Sequence, residues 1–234
     1  MGRDVIVACD FASAEETFAF LDKFENFKRK PFIKIGMELF FAEGPDIVRE
    51  IKRRGHKIFL DLKLHDIPTT VKKTMAVLST LDIDMTNLHA AGTSRMMEAA
   101  IEGLTRPDGT RPILIAVTQL TSTDEEIMKS DLLINEPIEK VVMHYAKCAK
   151  NSGLDGVVCS PLEAGKVHEM CGSDFITVTP GVRFADGDKD DQKRVMTPSA
   201  AKRIGSDYIV VGRPITGAED PVAAYERCCS EFID

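Results

Sequence analysis

Two carboxylates and an ammonium group stand close together in the segment Asp61-Leu62-Lys63-Leu64-His65-Asp66, at the end of an apolar run. That run, Lys57-Ile58-Phe59-Leu60, reads as a buried strand. Side chains alternate faces along a strand, so Asp61 and Lys63 point the same way. A carboxylate and an ammonium facing one cavity can move protons or stabilise charge that develops on a bound molecule. Pro68 disfavours a helical backbone at Ile67, and Thr69, Thr70 and the periodic Val71, Met75, Val77 and Leu78 announce a new helix, which leaves Asp66 on the strand-to-helix loop. An ion pair on an exposed strand edge would use the same residue types and contribute little. A strand this apolar is usually covered on both faces, however, and charge there is costly unless paired, which favours a functional constellation.

The elements that must position this cluster recur along the whole chain. Short β-rich runs at 5–9, 32–35, 57–60, 85–88, 113–117, 156–159, 175–178 and 208–211 alternate with amphipathic segments around 15–24, 45–54, 70–81, 95–104, 137–151, 161–170, 198–204 and 220–232. Eight consecutive βα units predict a single (β/α)8 barrel, and 234 residues without a Pro/Gly/Ser-rich linker suit one domain over 1–234. A doubly wound open sheet would usually carry a glycine-rich turn after its first strand, where this chain has Ala8-Cys9-Asp10-Phe11. Barrel active sites gather at the C-terminal strand ends. Polar residues fall there repeatedly: Asp10, Lys34, Asp61 and Lys63, the stretch 118–122, Thr179-Pro180-Gly181-Val182-Arg183, and Gly212-Arg213.

A net charge of -7 leaves no excess of basic residues to neutralise a phosphate backbone, so nucleic acid is not an expected partner. No apolar stretch approaches the length of a membrane span, and Met1-Gly2-Arg3-Asp4 runs into Val5-Ile6-Val7 without a signal-peptide pattern. The expectation is a soluble, cytoplasmic protein. Six cysteines show no Cys-x-x-Cys pair, and none of the five histidines stands at His-x-x-x-His spacing, so no metal cofactor is expected.

In this order and spacing the residues closely resemble the orotidine 5'-phosphate decarboxylase family in its short, monofunctional form. The matching motifs are Ala8-Cys9-Asp10, Ile33-Lys34-Ile35-Gly36, Asp61-Leu62-Lys63-Leu64-His65-Asp66, His89-Ala90-Ala91-Gly92, Val117-Thr118-Gln119-Leu120-Thr121-Ser122, Thr179-Pro180-Gly181-Val182-Arg183 and Val211-Gly212-Arg213-Pro214-Ile215-Thr216. The third-strand motif alone would indicate only the wider superfamily. Together the motifs cover essentially the whole chain. The resemblance implies conversion of orotidine 5'-phosphate to uridine 5'-phosphate and CO2 in pyrimidine synthesis, with no metal or organic cofactor. It also implies a homodimer whose site is shared, Lys34, Asp61 and Lys63 of one chain meeting Asp66 of the other. The catalytic set it implies is Lys63, Asp61, Lys34 and Asp66. The implied substrate contacts are Asp10, Lys34, Asp61, Ile67, Thr70, Thr121, Arg183, Gln192, Gly212 and Arg213. Two departures, Cys9 for an expected leucine and Thr93 for a common glycine, touch no catalytic role.

Loss of CO2 from C6 of orotidylate leaves charge in an sp2 orbital orthogonal to the ring π system, so delocalisation helps little. An ammonium at C6 stabilises that charge and can then deliver the replacing proton, which makes Lys63 the natural acid. Asp61 supplies its counter-charge; a ground-state repulsion by Asp61 is a contested alternative. Alternating Lys34, Asp61, Lys63 and Asp66 would keep every buried charge beside an opposite one. A purely structural network would be a poor exchange for hydrophobic packing. Arg213 and the Gly212 amide follow the eighth strand, where such barrels commonly bind phosphate, and Gln192 would add a clamp. The polar loop 184–192 reads equally as a lid or as an ordinary solvated loop. Thr121 and Ser122 suit ring contacts or turn capping, the family pattern favouring Thr121 for the ring, and Arg183 suits the nucleotide or a rim ion pair. His65 and His89 have no adjacent nucleophile and read as braces for loops or the dimer contact. Two rivals remain. A Mg2+-dependent sugar-phosphate enzyme would carry a glutamate where this chain has Lys34. A silent, phosphate-binding barrel would have no use for Lys63 beside Asp61 and Asp66.

Overall fold

Eight parallel strands pair in chain order and close on themselves: β1 (Asp4–Cys9), β2 (Phe32–Gly36), β3 (Ile58–Leu64), β4 (Met85–His89), β5 (Ile113–Val117), β6 (Gly156–Val158), β7 (Ile176–Thr179) and β8 (Tyr208–Val211). The computed structural model describes residues 3–186 and 196–234. The strand periodicity of two divides the buried residues into two cores. Ile6, Phe32, Phe59, Met85, Ile115 and Val210 belong to the cluster that fills the barrel. Val7, Ile33, Ile35, Leu60 and Leu114 belong to the one between strands and helices. Cys9 falls in this outer core, and burial pushes its thiol well above the ordinary value despite Lys34 nearby.

The helices are α1 (Ala14–Asp22), α2 (Met37–Glu43), α3 (Pro45–Arg53), α4 (Pro68–Leu78), α5 (Thr93–Leu104), α6 (Glu125–Asp131), α7 (Ile138–Asn151), α8 (Ala164–Cys171), α9 (Pro198–Ile204), α10 (Arg213–Thr216) and α11 (Pro221–Phe232). The (β/α)8 expectation holds, with three helices, among the described residues, beyond those expected. α2 buries only Leu39, α6 buries only Met128 and α10 is a single turn, so none carries a readable apolar stripe. α4 starts at Pro68 rather than Thr70, because proline at the first helical position loses no hydrogen bond. It ends at Leu78, where the chain tightens into a 3-10 turn over Ser79–Leu81. Among the described residues no helix is long and apolar enough to cross a membrane.

Aspartates at the N-terminal face hold the strands in register. Asp84, Asp155 and Asp207 each precede an even-numbered strand, and each carboxylate accepts the first free amide of the strand before it. Asp84 takes Ile58 N at 2.8 Å, Asp155 takes Leu114 N at 2.7 Å and Asp207 takes Thr177 N at 2.8 Å. Each also meets a cationic or imidazole group, from Lys52, Arg111 and His168 respectively. This end of a barrel serves stability, while the opposite end is free for chemistry. Asp155→Ala would leave the Leu114 amide without its acceptor and take the carboxylate from the Arg111 guanidinium, which keeps the Pro112 and Gly153 carbonyls. We expect it to lower unfolding free energy by about 1–3 kcal/mol in urea titration, with turnover of the folded fraction unchanged.

Candidate active site

The inward series of the first four strands changes character from bottom to top. Ile6 and Ala8 lead to Asp10, Phe32 leads to Lys34, Phe59 to Asp61 and Met85 to Asn87. Register places Lys34 beside Phe59, and Gly36 beside Asp61, so these polar side chains converge at the C-terminal mouth. There, Lys34 Nζ lies 2.7 Å from Asp10 Oδ1 and 3.5 Å from Asp61 Oδ2. Lys63 Nζ lies 2.7 Å from Asp61 Oδ1. Lys34 and Asp61 are each only 8% exposed, whereas Asp10 reaches solvent. A Cβ on Gly36 would come within 3.1 Å of Asp10 Oδ1 and 3.3 Å of Lys34 Nζ, so its glycine leaves room for that ion pair.

Strand alternation correctly directs Asp61 and Lys63 inward, with Leu62 turned to the outer core. It does not account for their closeness. β3 continues to Leu64 instead of ending at Leu60, and its pairing with β4 shifts between Leu60 and Leu64. Lys63 adopts φ 50°, in the left-handed region uncommon for residues other than glycine. Asn87, fully buried on β4, donates from Nδ2 to Asp61 Oδ1 at 2.7 Å and accepts the Lys63 amide at 2.8 Å. Asn87 is not among the residues expected from the sequence. Its only signal is a side-chain amide in the middle of a buried strand, Met85-Thr86-Asn87-Leu88.

Burial pushes the Asp61 carboxyl up, but Lys34 and Lys63, with hydrogen bonds from Lys63 and Asn87, outweigh it and hold the group below the usual carboxylate range. Burial likewise pulls Lys34 down, and Asp10 and Asp61 more than reverse this. His65 and His89 face one another beside the cluster with ring centroids 5.7 Å apart. His89 ionises below its ordinary value because of burial, then His65 and Lys63, against the opposing Asp61.

The other expected residues are arranged around this centre. Thr121 and Ser122 line a cavity of about 810 Å³ together with Ser160, Pro180 and Gly181; none of Asp10, Lys34, Asp61 and Lys63 lines it. Arg183 follows β7, its amide bonded to Met196 O at 3.0 Å and its Nε buried without a hydrogen-bond partner among the described residues. Gly212 follows β8 and precedes the exposed Arg213 at the start of α10. Asp66, Ile67 and Thr70 are exposed. The Asp66 carboxylate accepts its neighbour's amide, Ile67 N, at 2.7 Å, and among the described residues no ion pair joins it to Lys63. Of the loop 184–192, Phe184 and Asp186 are held by Arg227 of α11, which pairs with Asp186 at 2.9 Å and stacks 4.3 Å from the Phe184 ring. Gln192 lies outside the described residues.

The model of the orotidine 5'-phosphate decarboxylase / HUMPS family matches residues 3–228. The chain belongs to this family. Among curated relatives, an orotidine 5'-phosphate decarboxylase of Bacillus cereus (strain G9842) is 57% identical over 229 residues, covering 97% of this chain and 95% of the relative. One from Bacillus cytotoxicus is 56% identical with the same coverage. The crystal structure of orotidine 5'-phosphate decarboxylase from Lactobacillus acidophilus superposes with a TM-score of 0.88 at 44% identity, covering 99% of this chain and all of that one. An uncharacterised conserved protein from Geobacillus kaustophilus superposes at 0.86, with 49% identity over 97% of this chain and 99% of that one.

In this member of the orotidine 5'-phosphate decarboxylase / HUMPS family, Asp61 ionises below its ordinary value of 3.8 and Lys34 above 10.5. The Asp61 contribution to stability is therefore complete above 3.8 and lost as pH falls through the lower folded value. That of Lys34 is complete below 10.5 and lost as pH rises through the higher folded value. We expect the difference in unfolding free energy between wild type and Asp61→Asn to stay constant from about pH 5 to 9 and to shrink below pH 3.8. A difference that already declines near neutrality would contradict the charge assignment.

Proposed function

We propose that the protein decarboxylates orotidine 5'-phosphate to uridine 5'-phosphate and CO2, without a metal or organic cofactor, and with Lys63 as the proton donor to C6. The observation that carries this reading is the Lys34–Asp61–Lys63 array at the barrel mouth, with Lys34 and Asp61 buried and Lys63 half-buried, in a chain 57% identical to relatives named for that activity. The C6–carboxylate bond breaks and its electron pair remains on C6. The Lys63 ammonium stabilises that pair and then protonates it, and the neutral amine recovers a proton from solvent. Asp61 orients Lys63, and because Lys34 and Asn87 also hold its oxygens, the carboxylate is fixed before substrate arrives.

Asp10 and Lys34 suit the ribose hydroxyls, and Thr121 the pyrimidine ring. Gly212, Arg213, Arg183 and Gln192 suit the phosphate end, where Arg183 Nε is a buried donor with no acceptor among the described residues. Phosphate binding far from C6 can lower the barrier if it is expressed only when the site closes. Asp66, Ile67 and Thr70 complete the site from a second copy of the chain. Support for this comes from their exposure in one chain: Ile67 is 67% exposed, an apolar side chain awaiting cover. A cytoplasmic location belongs to the same reading, supported by six free cysteines, five of them buried. A divalent cation at Asp61 would have to displace two ammonium groups, which disfavours a Mg2+-dependent sugar-phosphate reaction.

The first test is loss of orotidylate absorbance on adding purified protein in EDTA, with uridylate identified as product. Rapid conversion in chelator is expected; no conversion by the folded protein would move the weight to a Mg2+-dependent sugar-phosphate reaction or to a barrel that only binds. Lys63→Ala should abolish turnover while nucleotide binding stays measurable, and normal turnover in that variant would remove Lys63 as the acid. Mixing Lys63→Ala with Asp66→Asn should restore part of the activity, because hybrid dimers hold one intact site. No recovery after demonstrated subunit exchange would refute the shared site.

A further inference from the structure

We infer that Asn87 is a positioning residue whose carboxamide stands in for a missing peptide group between β3 and β4, and thereby sets Lys63 against Asp61. The inference rests on the catalytic reading of Lys63 given above. Along these two strands Leu60 pairs with Thr86 and Leu64 pairs with Leu88. Three residues of β3, Asp61, Leu62 and Lys63, therefore oppose the single residue Asn87. Extra residues on one strand leave backbone groups without ladder partners and bend the chain. The two ends of this gap are satisfied by β4 side chains. Thr86 Oγ1 donates to the Leu60 carbonyl at 2.9 Å, and Asn87 Oδ1 accepts the Lys63 amide at 2.8 Å.

The same carboxamide has a second duty. Its Nδ2 donates to Asp61 Oδ1, the oxygen that also receives Lys63 Nζ, both at 2.7 Å. One planar group thus grips the backbone of Lys63 and the side chain of Asp61 at once. In an unbroken strand, residues two apart sit about 6.6 Å from each other along the axis. Here the left-handed turn at Lys63, φ 50°, folds the ammonium back onto the carboxylate. Asn87 is fully buried, and it is neutral in a place where a third carboxylate would repel Asp61 and a hydrocarbon would leave the Lys63 amide unpaired. Only a side chain with one acceptor and one donor in a fixed plane meets both demands.

Three measurements test this. Asn87→Ala should lower kcat about 100-fold while KM changes by less than about threefold, because the groups assigned to ribose and phosphate are untouched. In Asn87→Asp the ionised carboxylate can accept the Lys63 amide but cannot donate to Asp61. Its protonated form can do both, so kcat of this variant should rise as pH falls from 8 to 5, relative to wild type at each pH. In the wild-type protein the Lys63 amide should exchange with deuterium as slowly as the neighbouring strand amides. A folded Asn87→Ala enzyme with wild-type kcat, an Asn87→Asp profile parallel to wild type, or a Lys63 amide exchanging at the rate of a free loop would each overturn the inference. If Asn87→Ala does not fold, the other two measurements decide it. Failure of wild-type protein to consume orotidylate would instead remove the catalytic reading, and amide exchange would still decide whether Asn87 clips β3 to β4.

Discussion

Everything at the barrel mouth depends on one buried carboxylate held between two ammonium groups. Asp61, 8% exposed, has Lys63 on one oxygen and Lys34 near the other. Any one of these charges alone would be costly in that setting, since desolvation opposes it and nothing repays the loss. Together they hold Asp61 below and Lys34 above their ordinary ionisation ranges, against the pull of burial on each. Such a cluster requires strand ends held to within about 0.5 Å. Most of the remaining architecture can be understood as meeting that requirement.

The barrel meets it by separating its two ends. At the N-terminal face, Asp84, Asp155 and Asp207 tie β4, β6 and β8 each to the strand before it through a strand amide, so register is secured far from the chemistry. The middle is filled by apolar inward residues such as Phe32, Phe59 and Met85. At the C-terminal face the same columns of side chains become Lys34, Asp61 and Asn87, whose positions are dictated by the packed layer beneath. Rigid elements of this sort position functional groups more accurately than loops do. The irregularity in β3 is then a local exception on a regular frame, bridged by Thr86 and Asn87 rather than left open to water.

Much of this was legible from residue types alone. The eight strands are short β-branched runs with a period of two, and the barrel expectation followed from counting them; strand bounds differ by a few residues at most, the largest difference being the extension of β3 to Leu64. α2, α6 and α10 are not legible in the sequence, because a helix that buries one residue, or spans one turn, leaves no periodic stripe. The shared facing of Asp61 and Lys63 was also readable, because alternation directs both the same way at the end of β3, and a barrel gathers such residues with Asp10 and Lys34 at one mouth. Asp66, Ile67 and Thr70 could be located on the turn into α4 and its first residues, but a single chain leaves them exposed.

The sequence by itself determined which strands exist, which way their side chains face, and the order of charges carried to the barrel mouth. These are local properties of the chain, set by side-chain branching, polarity and a period of two. Tertiary structure alone decided the 2.7 Å contact between Lys63 and Asp61, the left-handed backbone at Lys63, and the part taken by Asn87. These depend on pairing two strands with unequal numbers of residues, a relation between Lys63 and Asn87 that no pattern within either segment contains.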